Sequence, residues 1–340
     1  MARMRSSTHP LTGFAIVILA AALFGMLGPL SRFAYEAGME PLPFVAWRAL
    51  VGTLGTAVFV AWRVQRRGER LFRPSELAPR AWVALGIAGL TGFTLNLAMF
   101  IAFDRITVAL ALLGFYTYPA MVAIVAVALG RERLDQGKAV ALALATAGMI
   151  AVVASQLDPA GGIRLDALGF GLALGAAVSQ AVFVTISRDG YRAVPVDQAM
   201  TAILLVTVVA CTLLALATGA TEALLFPLVS PGVLPLILFT GLFAAAIPSL
   251  AFLTGIRRIG GMRAGILMLF EPVVGVALAA LLLAEGIEPI QVVGGVAILA
   301  AAIILQRSSP PSGEPTTEAP LDQPAPIEEE ALTLRVPGGP

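Results

Sequence analysis

Ten stretches of this 340-residue chain are apolar for roughly 18–24 residues, each long enough to cross about 30 Å of hydrocarbon as a helix. Lipid offers no partner to a backbone N–H or C=O, so a chain built of such stretches folds as a bundle of spanning helices. They fall near residues 12–34, 42–62, 80–102, 107–129 and 137–155, then 166–187, 196–218, 232–254, 262–284 and 289–306. Composition agrees, because 13% charged residues could not coat a soluble protein of this length. The opening MARMRSSTHP, followed by LTGFAIVILAAALFGMLGPL, imitates a signal peptide. Its apolar run continues to about Leu30, however, which predicts an uncleaved first helix.

The fourth and ninth stretches are copies. Residues 102–132, AFDRITVALALLGFYTYPAMVAIVAVALGRE, recur without a gap 153 positions later as GIRRIGGMRAGILMLFEPVVGVALAALLLAE. Arg105 and Ile106 match Arg258 and Ile259, Ala111 matches Ala264, Pro119 matches Pro272, Leu129 matches Leu282 and Glu132 matches Glu285. The chain therefore divides into a lead (1–11), a first five-helix repeat (12–155), a turn-rich junction, a second repeat (166–306) and a proline-rich tail (307–340) expected to be disordered.

Basic residues set the orientation. Seventeen lie before span one, in loops two–three, four–five, six–seven and eight–nine, or just after span ten, against only Arg32, Arg105 and Arg164 in the other loops. Both termini are expected in the cytoplasm. Five is odd, so the second repeat enters from the opposite side of the membrane. The predicted fold is an all-α polytopic membrane protein of two inverted five-helix repeats about a pseudo-two-fold axis in the membrane plane.

Charged side chains at membrane depth are costly and mark cavities or partners. Two stand out: Glu271 near the middle of span nine, and Arg48 in the outer third of span two. Either could bind substrate, and Glu271 could instead carry a proton. The plainer readings are a snorkelling or structural Arg48 and a protonated, packed Glu271. Pro119 and Pro272 each remove a backbone N–H and free the carbonyl four residues earlier, on Phe115 and Met268, at matching points of the repeats. They are candidate helix breaks beside Tyr118 and Glu271, and the mismatch of those two residues is where the copies would differ in chemistry. Asn96, Tyr116, Tyr118, Gln180 and Thr185 are weaker polar candidates, and Trp47 and Phe270 candidate apolar walls. The glycine pairs Gly171/Gly175 and Gly261/Gly265 have the spacing that lets helices approach closely, and Trp62 and Trp82 fit an interfacial belt.

Several function classes fall away. His9, the one histidine, lies in the lead, and Cys211 is the one cysteine, so there is no histidine or thiolate metal set and no disulfide framework. No phosphate-binding loop is present, which argues against intrinsic ATP hydrolysis. No nucleophile–base pair suggests an enzyme, no cofactor is expected, and a net charge of +1 gives no reason to expect nucleic acid.

The tandem units, WRALVG in span two, AFDRITVALALLGFYTYPAMVAIVAVALGRERL through span four and GIRRIGGMRAGILMLFEPVVGVALAALLLAEGIEPIQVVGG through span nine resemble the drug/metabolite transporter superfamily, specifically its EamA-type ten-helix exporters. The resemblance covers about residues 12–306. It implies export of small organic metabolites, often amino acids, by alternating access around a central cavity. Two departures stand out: AEGIEP replaces a more basic ending after span nine, and the second repeat has no arginine matching Arg48.

The residues point to a midplane site walled by spans four and nine, with a substrate carboxylate towards Arg48 and an ammonium towards Glu271. Proton-coupled antiport of hydrophobic or cationic compounds stays open, as does a membrane sensor or partner-binding subunit without flux. The expected partners are a small-molecule substrate, the lipid bilayer and, for antiport, protons, with monomer and homodimer both open. Arginine in place of nearly every lysine, with abundant alanine, suggests a bacterial inner membrane.

Overall fold

The computed structural model describes residues 10–73, 75, 77–155, 166–283 and 288–307. Residues 1–9 of the lead, the junction with Arg164, Glu285 and the tail beyond Arg307 lie outside the described residues. Among the described residues, ten helical spans are long and apolar enough to cross a membrane. Span one is α1 (Pro10–Phe24) followed by α2 (Leu27–Glu36), span two is α3 (Pro41–Arg67) and span three is α4 (Pro79–Arg105). Span four divides into α5 (Val108–Phe115) and α6 (Tyr118–Ala128), and span five is α7 (Gln136–Ala154). In the second repeat, α8 (Ala167–Asp189) and α9 (Val196–Thr218) are spans six and seven. Two short helices, α10 (Thr221–Leu224) and α11 (Phe226–Val229), lead to span eight. That span runs through α12 (Leu234–Gly241), a π-helical turn (Leu242–Ala246) and α13 (Ile247–Ile259). Span nine divides into α14 (Gly261–Met268) and α15 (Glu271–Leu283), and span ten is α16 (Pro289–Arg307).

Local chemistry explains most ends. Proline occupies the first turn of α3, α4 and α6, where its missing N–H has no helical use. The side chains of Thr107, Asp135 and Asp166 cap α5, α7 and α8 by accepting from Leu110, Lys138 and Leu168 N–H. α3 outruns its apolar stretch to Arg67, carried by an Arg63–Glu69 ion pair at 2.5 Å, and stops at Gly68 with φ 63°.

The neighbours of each span reveal the symmetry. Spans two and seven, four and nine, and five and ten pack against their own counterparts, whereas three packs on six and one on eight. Exchanging the repeats maps the last two contacts onto each other and leaves the first three in place, as a two-fold axis requires. With five crossings per repeat, that relation is an inversion.

The Arg-Ile pair shared by the copies has a packing role. A Cβ on Gly169 would meet Ile106 Cγ2 at 2.8 Å and Arg105 Cβ at 3.2 Å; one on Gly13 would meet Ile259 Cγ2 at 2.5 Å and Arg258 Cβ at 3.4 Å. Each repeat thus plugs the end of its third helix into a bare glycine on the first helix of the other. Helices in lipid associate by such close packing rather than by a hydrophobic driving force. Gly261 behaves likewise against Val184, 2.8 Å from its would-be Cβ, whereas Gly265 faces Tyr118 and Pro119 at an ordinary 3.6–3.7 Å. Gly171 and Gly175 differ from both: a Cβ on either meets nothing within 4 Å, so that pair brings no helix close.

At one end of the bundle, where loops two–three, four–five, six–seven and eight–nine lie, charged side chains tie the repeats together. Arg63 bridges to Asp197 at 2.8 Å and Arg188 to Glu132 at 2.7 Å, with Lys138 3.9 Å from the same glutamate. Arg257 donates to the Val194 and Tyr191 carbonyls and lies over the Tyr191 ring. Burial pushes that phenol up to about 12. At the other end Arg105 pairs with Asp166, and this hydrogen bond holds the Asp166 carboxyl below the usual carboxylate range.

Candidate functional site

Proline breaks, rather than kinks, position the site. Pro119 and Pro272 each stand second in a new helix, so spans four and nine are discontinuous and restart at Tyr118 and Glu271. Thr117 fills the gap in span four by donating its hydroxyl to the Gly114 carbonyl at 2.8 Å. Span one breaks at Gly25–Met26, and the two interruptions touch: a Cβ on Gly25 would lie 2.8 Å from the Glu271 carbonyl oxygen. Span eight contributes the π-helical turn.

Around these irregular segments lies a cavity of about 670 Å³, within the range of small-molecule sites. Arg48, Asn96, Tyr116, Tyr118, Gln180, Glu271 and Pro272 all line it. Pro119 does not; it packs beside Gly265 instead. Trp47 and Phe270 are not wall residues either. Trp47 donates its indole N–H to the Leu224 carbonyl at 2.7 Å, anchoring α10, and Phe270 packs against the main core. Thr185 sits at the far end of span six, where its carbonyl accepts from Arg131.

Aromatic and apolar side chains, among them Phe100, Phe115, Phe183, Phe252, Met200 and Met268, supply the rest of the interior wall. Phe100 could not have been picked from the run AMFIAF, where nothing separates a wall residue from a packing residue. Arg32 and Glu288 also line the cavity, together with Thr107, Ser155 and Gln291. These five residues stand at the span ends opposite the ion-paired loops, so the cavity opens there. Arg32 carried a signal in the sequence, as one of the few basic residues on that side.

Arg48 is 4% exposed and held on several sides. One Nη donates to the Ala244 carbonyl at 3.2 Å, inside the π-helical turn, and the other donates to Asn96 Oδ1. Asn96 is oriented in turn by donating its Nδ2 to the Gly92 carbonyl at 2.8 Å. The guanidinium carbon lies 4.7 Å from the centre of the Phe100 ring, a contact worth about 0.5–2 kcal/mol. Its Nε has no partner. No described carboxylate bridges to it, so its charge is solvated by dipoles and a ring alone.

Glu271 faces the opposite chemistry. It stands at the first position of α15, where the helix dipole favours a negative charge, and no described cation bridges to it. Both phenols of span four lie within its field, and Tyr118 also neighbours the Gln180 amide. Yet Tyr116 Oη, Tyr118 Oη and Gln180 Oε1 make no hydrogen bond of good geometry. Phe115 packs against both tyrosine rings, 5.5 and 5.1 Å away, and fixes where they point. An orphaned buried polar group costs about 1–3 kcal/mol; these three oxygens are out of reach of water on side chains that line the cavity, and a turn of those side chains would offer them to a ligand that supplies the missing partner. Among the described residues no cluster of acidic, histidine or cysteine side chains could hold a metal ion.

Comparison with known proteins closes on the same architecture. A profile of the EamA-like transporter family matches residues 11–154 and again residues 167–307. A solved structure described only as "Crystal structure of protein" is similar with a TM-score of 0.62 at 21% identity, covering 87% of this chain and 95% of that one, a likeness of fold. No curated protein matches the sequence.

Proposed function

Because the chain belongs to the EamA-like transporter family and is thus a membrane transporter of the drug/metabolite type, we propose that it exports small zwitterionic metabolites, amino acids or close relatives, by alternating access. The observation that carries this reading is that the lone acid and the lone base of the membrane interior, Glu271 and Arg48, wall one cavity and bridge to no opposite charge among the described residues. A substrate carboxylate would meet the Arg48 guanidinium, and an ammonium the Glu271 carboxylate. The rocking units are the two repeats, 12–155 and 166–306. The basic loops would lie in the cytoplasm of a bacterium, which makes the present state outward-open.

Proteoliposomes preloaded with unlabelled amino acids and challenged with labelled ones test this. The wild type should show counterflow, and Glu271→Gln or Arg48→Ala should lower it about ten- to a hundredfold, the worth of one charge-assisted hydrogen bond. Unchanged counterflow in both variants would sink the site assignment.

A second reading makes Glu271 the proton site of an antiporter, since a cavity carboxylate without a cation beside it can trade a proton for a substrate ammonium. An imposed pH gradient would then accelerate wild-type transport and leave Glu271→Gln unaffected.

A further inference from the structure

The two ends of the proposed site are unequally prepared, and the inequality says which half of the substrate is read. At the Arg48 end the protein has already supplied partners: Asn96 Oδ1, the Ala244 carbonyl and the face of Phe100. The side chain joins span two to span three and to the π-helical turn of span eight, and only its Nε is left over. That is the geometry of a bracket. A ligand carboxylate arriving there gains the remaining N–H groups but is not needed to satisfy the cation.

At the Glu271 end only neutral groups are supplied: Tyr116 lies close to the carboxylate and Tyr118 close to the Gln180 amide. The carboxylate and the Gln180 oxygen accept hydrogen bonds, the two phenols can accept as well as donate, and no described Lys, Arg or His bridges to Glu271. The three unpartnered oxygens belong to side chains 1% to 6% exposed, on spans four and six, facing the restart of span nine. A primary ammonium supplies the missing positive charge, and N–H donors for the carboxylate and for the oxygens around it. A quaternary ammonium has no N–H to give. An acylated nitrogen has neither the charge nor enough donors.

Resting on the carrier reading above, we propose that the primary ammonium group is the obligatory recognition element, and that apolar primary amines without a carboxylate are also substrates. Arg48 then acts chiefly as a positioning residue for spans two, three and eight. The apolar walls around Phe115, Phe183 and Met268 accept the hydrocarbon part.

The test uses the full chain and four probes of one carbon skeleton: leucine, 3-methylbutylamine (no carboxylate), 4-methylpentanoate (no amine) and N-acetyl-leucine (amine blocked). Each competes with labelled leucine counterflow in proteoliposomes, and each is also scored by its shift of thermal unfolding in detergent. The amine should compete within about tenfold of leucine, and the two probes lacking an ammonium about a hundredfold more weakly or not at all. Gln180→Leu should narrow the gap between amine and acid, whereas Arg48→Gln should preserve their order. Competition by 4-methylpentanoate or N-acetyl-leucine matching the amine overturns the proposal, as does an inert amine beside active leucine. If leucine itself does not exchange, the carrier reading for amino acids fails. The unfolding shifts then still decide the ammonium proposal, which stands if the amine stabilises the protein and the acid does not.

Discussion

Arg48 and Asn96 form a unit whose removal should be felt away from the cavity. The guanidinium accepts help from a carbonyl that the π-helical turn of span eight exposes, and Asn96 fixes its other arm. Asn96→Leu leaves a buried N–H pair without an acceptor, a loss of about 1–3 kcal/mol, and should lower the thermal unfolding midpoint in detergent. An unchanged midpoint would mean that water replaces the amide. At this scale the sequence was informative where physics made residues rare: a lone arginine and a lone glutamate in lipid are expensive, and both line the cavity. It was silent about Phe100 and the Ala244 carbonyl, because an apolar letter inside an apolar run and a backbone oxygen carry no mark of which way they face. Trp47 neighbours Arg48 in the chain, but successive residues on a helix point about 100° apart, and Phe270 falls in the break before α15.

Among the elements, the instructive contrast is between spans that break and spans that do not. The prolines gave notice of the breaks in four and nine. Span one breaks at Gly25 with only a glycine to announce it, and the π-helical turn has no signal in LFAAA at all. Symmetry does not supply these either: span six, the counterpart of span one, is continuous, as is span three, the counterpart of span eight. The glycine sockets were hidden for another reason, since neither Gly13 nor Gly169 has a glycine four residues away, whereas the paired Gly171/Gly175 looked more convincing and pack against nothing. Gly13→Leu and Gly169→Leu should each destabilise by about 1–3 kcal/mol through overpacking, while Gly171→Leu should fall within about 0.5 kcal/mol of wild type. Thermal unfolding in a single detergent compares the three directly.

For the whole molecule, the bundle is latched at one end and open at the other. Glu132 is the centre of the latch: it bonds Arg188, approaches Lys138 and lies 2.7 Å from where a Cβ on Gly260 would sit, so the ends of spans four, five and six and the turn before span nine all meet on one carboxylate. Glu132→Gln should weaken that end and move the population towards the opposite opening by about tenfold or more. A cysteine at Ser249, on the cavity wall, reports it: its labelling by an impermeant maleimide from the side of Arg32 and Glu288 should slow in the variant. Labelling at the wild-type rate would remove Glu132 from the latch.

The reciprocal sockets carry a last consequence. Since Ile106 seats on Gly169 and Ile259 on Gly13, every five-helix unit owns both a plug and a hole, and the two joints are formed by exchanging them. Such a surface is self-complementary in the way of an isologous interface. Severed at the junction and made as two polypeptides, the halves should find each other in the bilayer and restore the cavity without a covalent link.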